Sequence, residues 1–283
     1  MELKEIYRQG RRIGNHSKLP ISFEVFPPKD GNLSELFEQV RILSKYNPAL
    51  VSLTYGANGS NRDLSYELLQ MFIHLGLNVM PHFTCVCSSH NMVQGYIREI
   101  ENLGIENILA LRGDLPDGQC LLDFEHASDL VDFIHQKSSL SIGVAGYPEC
   151  HVECESLDKD IENLKQKIDA GADAIFTQLF FNNDKFYRYV EKVRNAGIDV
   201  PIVAGIMPIR GLKQIEKMVA IAGVEIPKKL KSQLEEFPQN IKKIGVEFAI
   251  NQCQDLMDNG VEGLHFFTLN HADQTSEILD NIL

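Results

Sequence analysis

Eight short apolar runs, spaced evenly along 283 residues and separated by segments of helical periodicity, restrict the folds open to this chain more than any other feature. The runs lie at 21–26 (ISFEVF), 49–54 (ALVSLT), 78–85 (NVMPHFTC), 107–111 (NILAL), 141–146 (SIGVAG), 173–180 (DAIFTQLF), 201–206 (PIVAGI) and 263–268 (GLHFFT). Between them apolar residues recur at helical spacing, as in Leu36, Val40, Leu43 and again in Leu68, Phe72, Leu75. Several helical segments close on a glycine before the next run, as in IENLGIENILAL and KIDAGADAIFTQ, where glycine can take the left-handed cap. Strand and helix in alternation give a parallel sheet. The interval before the last run holds three helical patterns, in GLKQIEKMVAIAG, in PKKLKSQLEEF and across 239–259, which read as extra helices inserted there. The sequence therefore predicts a single (β/α)8 TIM barrel over residues 1–283, α/β in class. A doubly wound sheet is the alternative, weakened because no G-x-G-x-x-G follows a strand.

Charge and composition narrow the partners. The net charge is −12 with no Lys/Arg cluster, which argues against nucleic acid and anionic membranes. No run approaches 18 uncharged apolar residues and MELKEIYRQGRR has no apolar stretch after its charges, so neither a membrane span nor a secretory signal is expected. Six cysteines, at 85, 87, 120, 150, 154 and 253, read as reduced thiols of a cytoplasmic protein. Cys85-x-Cys87 and Cys150-His151-x-x-Cys154 lack the paired spacing of a four-ligand zinc site, and no metal is expected.

In a barrel, the C-terminal ends of the strands build the site. Polar residues collect there: Glu24, the Thr54–Asn58 segment, His82 and Thr84, Arg112-Gly113-Asp114, Gly146-Tyr147-Pro148 with His151, Gln178, and Thr268-Leu269-Asn270. Glu24 stands inside an apolar strand, where a carboxylate needs a partner or gives up its charge. It reads equally as half of a buried ion pair. Arg112 and Asp114 can form a local turn pair, Asn58-Gly59 is a turn by itself, and His82 can be a hydrogen-bonded core histidine. Gln178 is harder to assign to packing, because a buried amide needs partners for both its oxygen and its nitrogen. Asp160, Asn163 and Lys167 share one helix face over roughly 10 Å. Such a face could hold a ribose and a phosphate or simply meet solvent.

SFEVFPPK, SLTYGANGS, PHFTC, NILALRGDLP, VAGYPE, the D-x-x-N-x-x-x-K helix, GADAIFTQLFF, PIVAGIMPI and FFTLN follow one another as in the bacterial methylenetetrahydrofolate reductases, and the chain resembles that family from about residue 21 to 271. The resemblance implies a barrel that binds FAD, takes a hydride from NADH or NADPH and reduces 5,10-methylenetetrahydrofolate to 5-methyltetrahydrofolate in ping-pong fashion, within one-carbon metabolism and methionine synthesis. It implies no regulatory domain and, by analogy, a homo-oligomer. Thr54, His82, Arg112, Gly113, Asp114, His126, Ala127, Tyr147, His151, Asp160, Asn163 and Lys167 match its FAD positions. Glu24, Asp114, Gln178, Gln214, Met218 and His271 match its folate positions. Glu24 is then the general acid that protonates the departing folate amine, with a pKa raised by its apolar wall. Asp114 accepts hydrogen bonds from the pterin and steadies the cationic intermediate. Three positions depart from enterobacterial relatives: His271 replaces an Arg, Met218 a Phe, and His126 a Tyr.

Two other readings compete. A phosphosugar aldolase or isomerase with Lys167 as Schiff base would want that lysine on a strand, whereas the pattern puts it on a helix. A binding or scaffold protein that kept the barrel without the chemistry would have no reason to keep Glu24, Asp114 and Gln178 together.

Overall fold

The computed structural model describes residues 1–8, 19–54, 62–115 and 123–283. The predicted Tyr55–Asn58 segment, the Asn58-Gly59 turn and Cys120 lie outside them. All eight runs are strands: β1 (Ile21–Val25), β2 (Leu50–Leu53), β3 (Val79–Thr84), β4 (Asn107–Leu111), β5 (Ser141–Gly146), β6 (Ala174–Leu179), β7 (Ile202–Ile206) and β8 (Leu264–Phe267). They pair in parallel, in chain order, into a closed barrel whose seam joins β1 to β8.

The connecting helices are α2 (Leu33–Leu43), α3 (Arg62–His74), α4 (His90–Asn102), α5 (Ala127–Lys137), α6 (Leu157–Asp169) and α7 (Asn183–Asn195). Between β7 and β8 stand α8 (Leu212–Ala222), α9 (Lys228–Glu236) and α10 (Ile241–Asp258), the three helices anticipated there, and α11 (Asp273–Ile282) follows β8. Local chemistry sets the helix ends. Ser89 accepts from the Met92 amide to start α4, and Ser156 accepts from the Lys159 amide to start α6. Gly104, at φ 74°, turns the chain out of α4 toward β4.

Residues alternate along each strand between two environments. Phe23 and Val25 of β1 point outward into the large apolar layer shared with the helices. The other parity faces the barrel interior, where Leu50, Met80, Leu109, Ala174, Phe176 and Val203 form one buried cluster. A helix not anticipated from the sequence, α1 (Leu3–Arg8), completes that cluster with Leu3, Ile6 and Tyr7. A third cluster joins the β7 end to α8, α9 and α10 through Met207, Ile209, Ile215, Leu230 and Leu234.

Two departures from a regular barrel matter for the site. The β6–β7 register shifts between Phe176 and Leu179, so Gln178 lies at an irregularity of the kind that re-aims a side chain. Gly205 faces it across the pair, and a Cβ there would sit 2.3 Å from the Thr177 carbonyl oxygen. Only glycine fits that approach.

Cys85, Cys150, Cys154 and Cys253 are free, as expected, but Cys87 is disulfide-bonded. The expectation of uniformly reduced thiols is corrected at that position, because pairing follows from how Cβ vectors meet in space, which cysteine spacing does not reveal. Among the described residues no helix is long and apolar enough to cross a membrane, and no group of three or more His, Cys, Asp or Glu could hold a metal.

Candidate active site

Glu24 occupies the upper interior of the barrel, about a quarter exposed, where strand register sets it beside Ser52 of β2 and Phe267 of β8. Its Oε2 lies 3.8 Å from His82 Nε2 and 3.8 Å from His265 Nε2. His265 is 1% exposed and is fixed from below, its Nδ1 2.7 Å from Ser22 Oγ, which in turn accepts from the buried Tyr7 hydroxyl. No buried Arg or Lys pairs with Glu24 among the described residues; two histidines take that place.

The electrostatics correct one expectation. Burial pushes the Glu24 carboxyl up, but the His265 ring nitrogen 3.8 Å away, the charges of His82 and His265 and the nearby Thr54 hydroxyl dipole outweigh it, and the net direction is down. The raised pKa expected of an apolar wall does not hold in the open barrel, because the wall contains imidazoles that an apolar strand pattern conceals. His82 goes down to about 4, chiefly through burial, with Glu24 opposing and His265 reinforcing the shift. It is therefore neutral at pH 7, and its charge acts on Glu24 only in acid. His82 Nε2 and Thr54 Oγ1 are both buried with no hydrogen-bond partner, so two polar atoms beside Glu24 stand ready for one.

A groove of about 280 Å³ opens at the same end of the barrel between β4, β5, α5 and α6. Arg112, His126, Ala127, Tyr147, His151, Asp160, Asn163 and Lys167 line it, so eight of the twelve expected FAD positions are brought together. The α6 face is thus not a plain solvent stripe. Lys167 Nζ donates to the Ala145 carbonyl at 2.7 Å, and its burial, opposed by Asp160, lowers its pKa to about 8. Asp160, 8% exposed, accepts from the His151 amide at 2.9 Å; desolvation raises its pKa against that bond and the charges of Lys167 and His151. Tyr147 packs its ring edge-to-face on His151 at 4.6 Å. Ser128, Glu153, Cys154 and Gln166 also line the groove and were not anticipated.

The loop after β4 carries the others. Gly113 has φ 84°, and a Cβ would press to 2.8 Å on Val86 and 2.9 Å on Thr84, which makes glycine obligatory there. Arg112 does not form the local pair with Asp114. It reaches the Glu153 carboxylate at 2.6 Å, across the groove. Asp114 stands exposed at the rim.

The substrate positions are less tightly grouped. Gln178 is half-buried, not fully buried, and its Oε1 accepts from the Leu179 amide at 2.9 Å, leaving its nitrogen without a partner among the described residues. Gln214 and His271 line a second hollow with Arg210 and Lys213. Gln214 Oε1 accepts from the Arg210 amide at 3.1 Å. Met218 packs against the α8–α10 cluster with Phe267 and Phe248. The Thr-Leu-Asn after β8 has a structural duty: Asn270 Oδ1 accepts from the Phe26 amide at 2.9 Å while its Nδ2 donates to the Phe26 carbonyl at 2.7 Å.

Comparison with known proteins bears on this arrangement. The family model described as "Methylenetetrahydrofolate reductase" matches residues 9–283. The chain belongs to the methylenetetrahydrofolate reductase family. Its relatives include the 5,10-methylenetetrahydrofolate reductase of Escherichia coli (strain K12), 36% identical over 266 residues that cover 92% of this chain and 90% of that one. The Arabidopsis thaliana protein named methylenetetrahydrofolate reductase (NADH) 1 is 36% identical over 302 residues, covering 99% of this chain and 50% of its own length. Methylenetetrahydrofolate reductases are oxidoreductases, and so the barrel is an enzyme's. Among solved structures, an uncharacterised Clostridium thermocellum protein, which binds two copies of 5-methyl-5,6,7,8-tetrahydrofolic acid, superposes with a TM-score of 0.68 over 99% of this chain and 97% of its own. At 14% identity that likeness speaks for the fold. His265 and its link to Glu24 were missed in the sequence because a histidine inside LHFF reads as one more strand residue; its parity with the inward Phe267 was the available signal.

Proposed function

We propose that this chain reduces 5,10-methylenetetrahydrofolate to 5-methyltetrahydrofolate at the barrel mouth, with FAD in the groove and NADH or NADPH as hydride donor. One observation carries the reading: a lone carboxylate held by two imidazoles, Glu24 with His82 and His265, opens at the same end of the barrel as a groove furnished with an ammonium, a guanidinium and a carboxylate. The family to which the chain belongs supports it.

The residues suit a dinucleotide. Lys167 and Arg112 offer cations to a pyrophosphate, and Asp160 and Asn163 offer an acceptor and an amide to ribose hydroxyls. The unpartnered His82 Nε2 and Thr54 Oγ1 offer buried polar contacts to a heterocycle. Gly113, His126, Ala127, Tyr147 and His151 shape the walls. A bound flavin supplies a two-electron store, so that nicotinamide and folate can use one place in turn.

Glu24 handles the proton. Opening the folate's five-membered ring requires a proton on the departing amine, and a carboxyl group is the donor in reach. In the open barrel Glu24 favours its anion. A pterin laid over it removes water and raises its proton affinity, so the acid form arises as substrate binds. Asp114 at the rim accepts from the pterin amino edge, Gln178 offers its free nitrogen to the ring, and Gln214, Met218 and His271 lie toward the folate tail. A cytoplasmic homo-oligomer is part of the same reading.

The test is optical. Purified protein should be yellow, or become so on reconstitution with FAD, and should bleach anaerobically on adding NADH or NADPH. Recovery of colour with methylenetetrahydrofolate completes the cycle. Protein that takes up no flavin overturns the proposal and returns the binding-protein and aldolase readings.

A further inference from the structure

Cys150 and Cys154 belong to the segment after β5 that borders the groove, and the chemistry proposed above makes no use of them. Two successive turns fold it: the Cys150 amide donates to the Tyr147 carbonyl at 3.1 Å, and the Cys154 amide donates to the His151 carbonyl at 2.9 Å. Cys150 has φ 75°, a conformation that side chains other than glycine's seldom adopt. Cys150 Sγ lies 3.7 Å from the Cys154 carbonyl oxygen, which brings the Cys150 side chain up to residue 154. Neither is fully buried, and Cys154 lines the groove, its sulfur 3.9 Å from Asn163 Nδ2. Glu153, between them, is the residue that holds Arg112.

We propose that Cys150 and Cys154 form a reversible disulfide, making this loop a redox-modification site that governs access of a phosphate-bearing cofactor to the groove. The half that concerns the cofactor rests on the FAD reading above; the half that concerns the thiols does not. The reaction is exchange with a low-molecular-weight disulfide. The Cys154 thiolate, which lines the groove, attacks one sulfur of the small disulfide and expels the first small thiolate. Cys150, having lost its proton to solvent, then attacks Cys154 in the mixed disulfide and expels the second. The protein loses two electrons and two protons, and the small disulfide becomes two thiols. Burial, with Asp160 and Cys154 nearby, pushes the Cys150 thiol up to about 11, so the closing step quickens as pH rises.

In the dithiol form the loop can swing Glu153 off Arg112 and free the guanidinium for a pyrophosphate. A bond between residues 150 and 154 ties the two turns together and keeps Glu153 on Arg112. Oxidation should therefore weaken FAD binding by at least about fivefold, the lower end of ordinary site-to-site coupling.

The protein is treated with oxidised glutathione, quenched with an alkylating agent and digested with trypsin. The peptide 138–159 contains these two cysteines and no others. It should appear two hydrogens lighter and unalkylated, revert on reduction, and in Cys150→Ser carry a single glutathione on Cys154. Two alkylated thiols, or two separate glutathione adducts in the unmutated protein, would overturn the site. FAD titration by flavin fluorescence of the oxidised and reduced protein reads the second half: a closed disulfide with unchanged FAD affinity overturns the control of access. Failure of both forms to bind FAD strikes the functional reading and leaves the mass result standing.

Discussion

His265 Nε2 lies 3.8 Å from Glu24 Oε2, and the two residues come from β8 and β1, which meet at the barrel seam. A glutamate at the mouth is thereby governed by an imidazole that is itself locked to Ser22. Replacing His265→Gln removes the imidazole that does most to lower the Glu24 carboxyl. The alkaline limb of the folate half-reaction, set by loss of the Glu24 proton, should move to higher pH, while flavin reduction by NAD(P)H keeps its profile. Unchanged pH profiles in both half-reactions would show that His265 only packs.

Glu24→Gln tests the proton itself. The amide preserves shape and cannot deliver a proton, so reoxidation of the flavin by methylenetetrahydrofolate should fall at least ~10²-fold, the usual contribution of a positioned acid. Flavin reduction by NAD(P)H should stay within about tenfold, since hydride transfer asks for no acid. Stopped-flow absorbance separates the two. Near-normal folate turnover in the variant would make the carboxylate structural.

His82 gives an acid-stability signature. Its folded pKa of about 4 lies below the 6.5 of the free group, so the unfolded chain binds more protons between those values and stability rises with pH across that window. The contribution is complete above pH 6.5 and is lost as pH falls toward 4, to a total on the order of 3 kcal/mol. Denaturant titrations of the native protein and of His82→Gln at pH 7.5 and pH 5 should show the variant losing less stability on acidification. Parallel losses would mean that His82 titrates freely.

Lys167, lowered to about 8, should make FAD retention alkaline-sensitive if it meets the phosphates. Its ammonium is present below that pH and lost above it, so FAD affinity should decline from pH 7 to 9 in the native protein and stay flat in Lys167→Met. Equilibrium dialysis at the two pH values decides between these outcomes. An equal decline in both proteins would take Lys167 out of the phosphate contact.

The folate tail should answer to Arg210 more than to His271. Burial first, then the neighbouring Arg210, lowers the His271 pKa, so His271 is neutral at pH 7 and gains charge only in acid. The cations of that hollow are Arg210, which is paired with the Asp273 carboxylate, and Lys213. Arg210→Gln should raise the apparent KM for folate by about tenfold or more, the scale of one lost charge-assisted hydrogen bond, whereas His271→Ala should alter it little above pH 7. The reverse ranking would restore His271 as the tail contact.

The architecture was legible because strand and helix periods alternate without interruption: all eight strands and the three helices before β8 fall where apolar spacing put them. The lysine, asparagine and aspartate of α6 were likewise legible as one face. What escaped was whatever depends on closure. The partners of Glu24 come from β3 and β8, the mate of Arg112 is Glu153 from another loop, and the irregularity beside Gln178 arises only when β6 meets β7. Six residues, Leu3–Arg8, are too short to announce that they will fill the barrel's interior with Tyr7. Asn270, expected only as one of the polar groups at the barrel mouth, holds the backbone of Phe26.

That last bond has a bearing on synthesis. Thr268 and Asn270 fasten the end of β1 to residues 244 positions later, so a chain emerging from the ribosome N-terminus first carries Glu24 through the synthesis of every other strand before the one that holds it appears. The first-made element of the site is the last to be secured, and a nascent chain stalled before β8 would display an open seam with unpaired strand edges on both sides. Quality control that recognises such edges would find this protein most exposed just before β8 emerges.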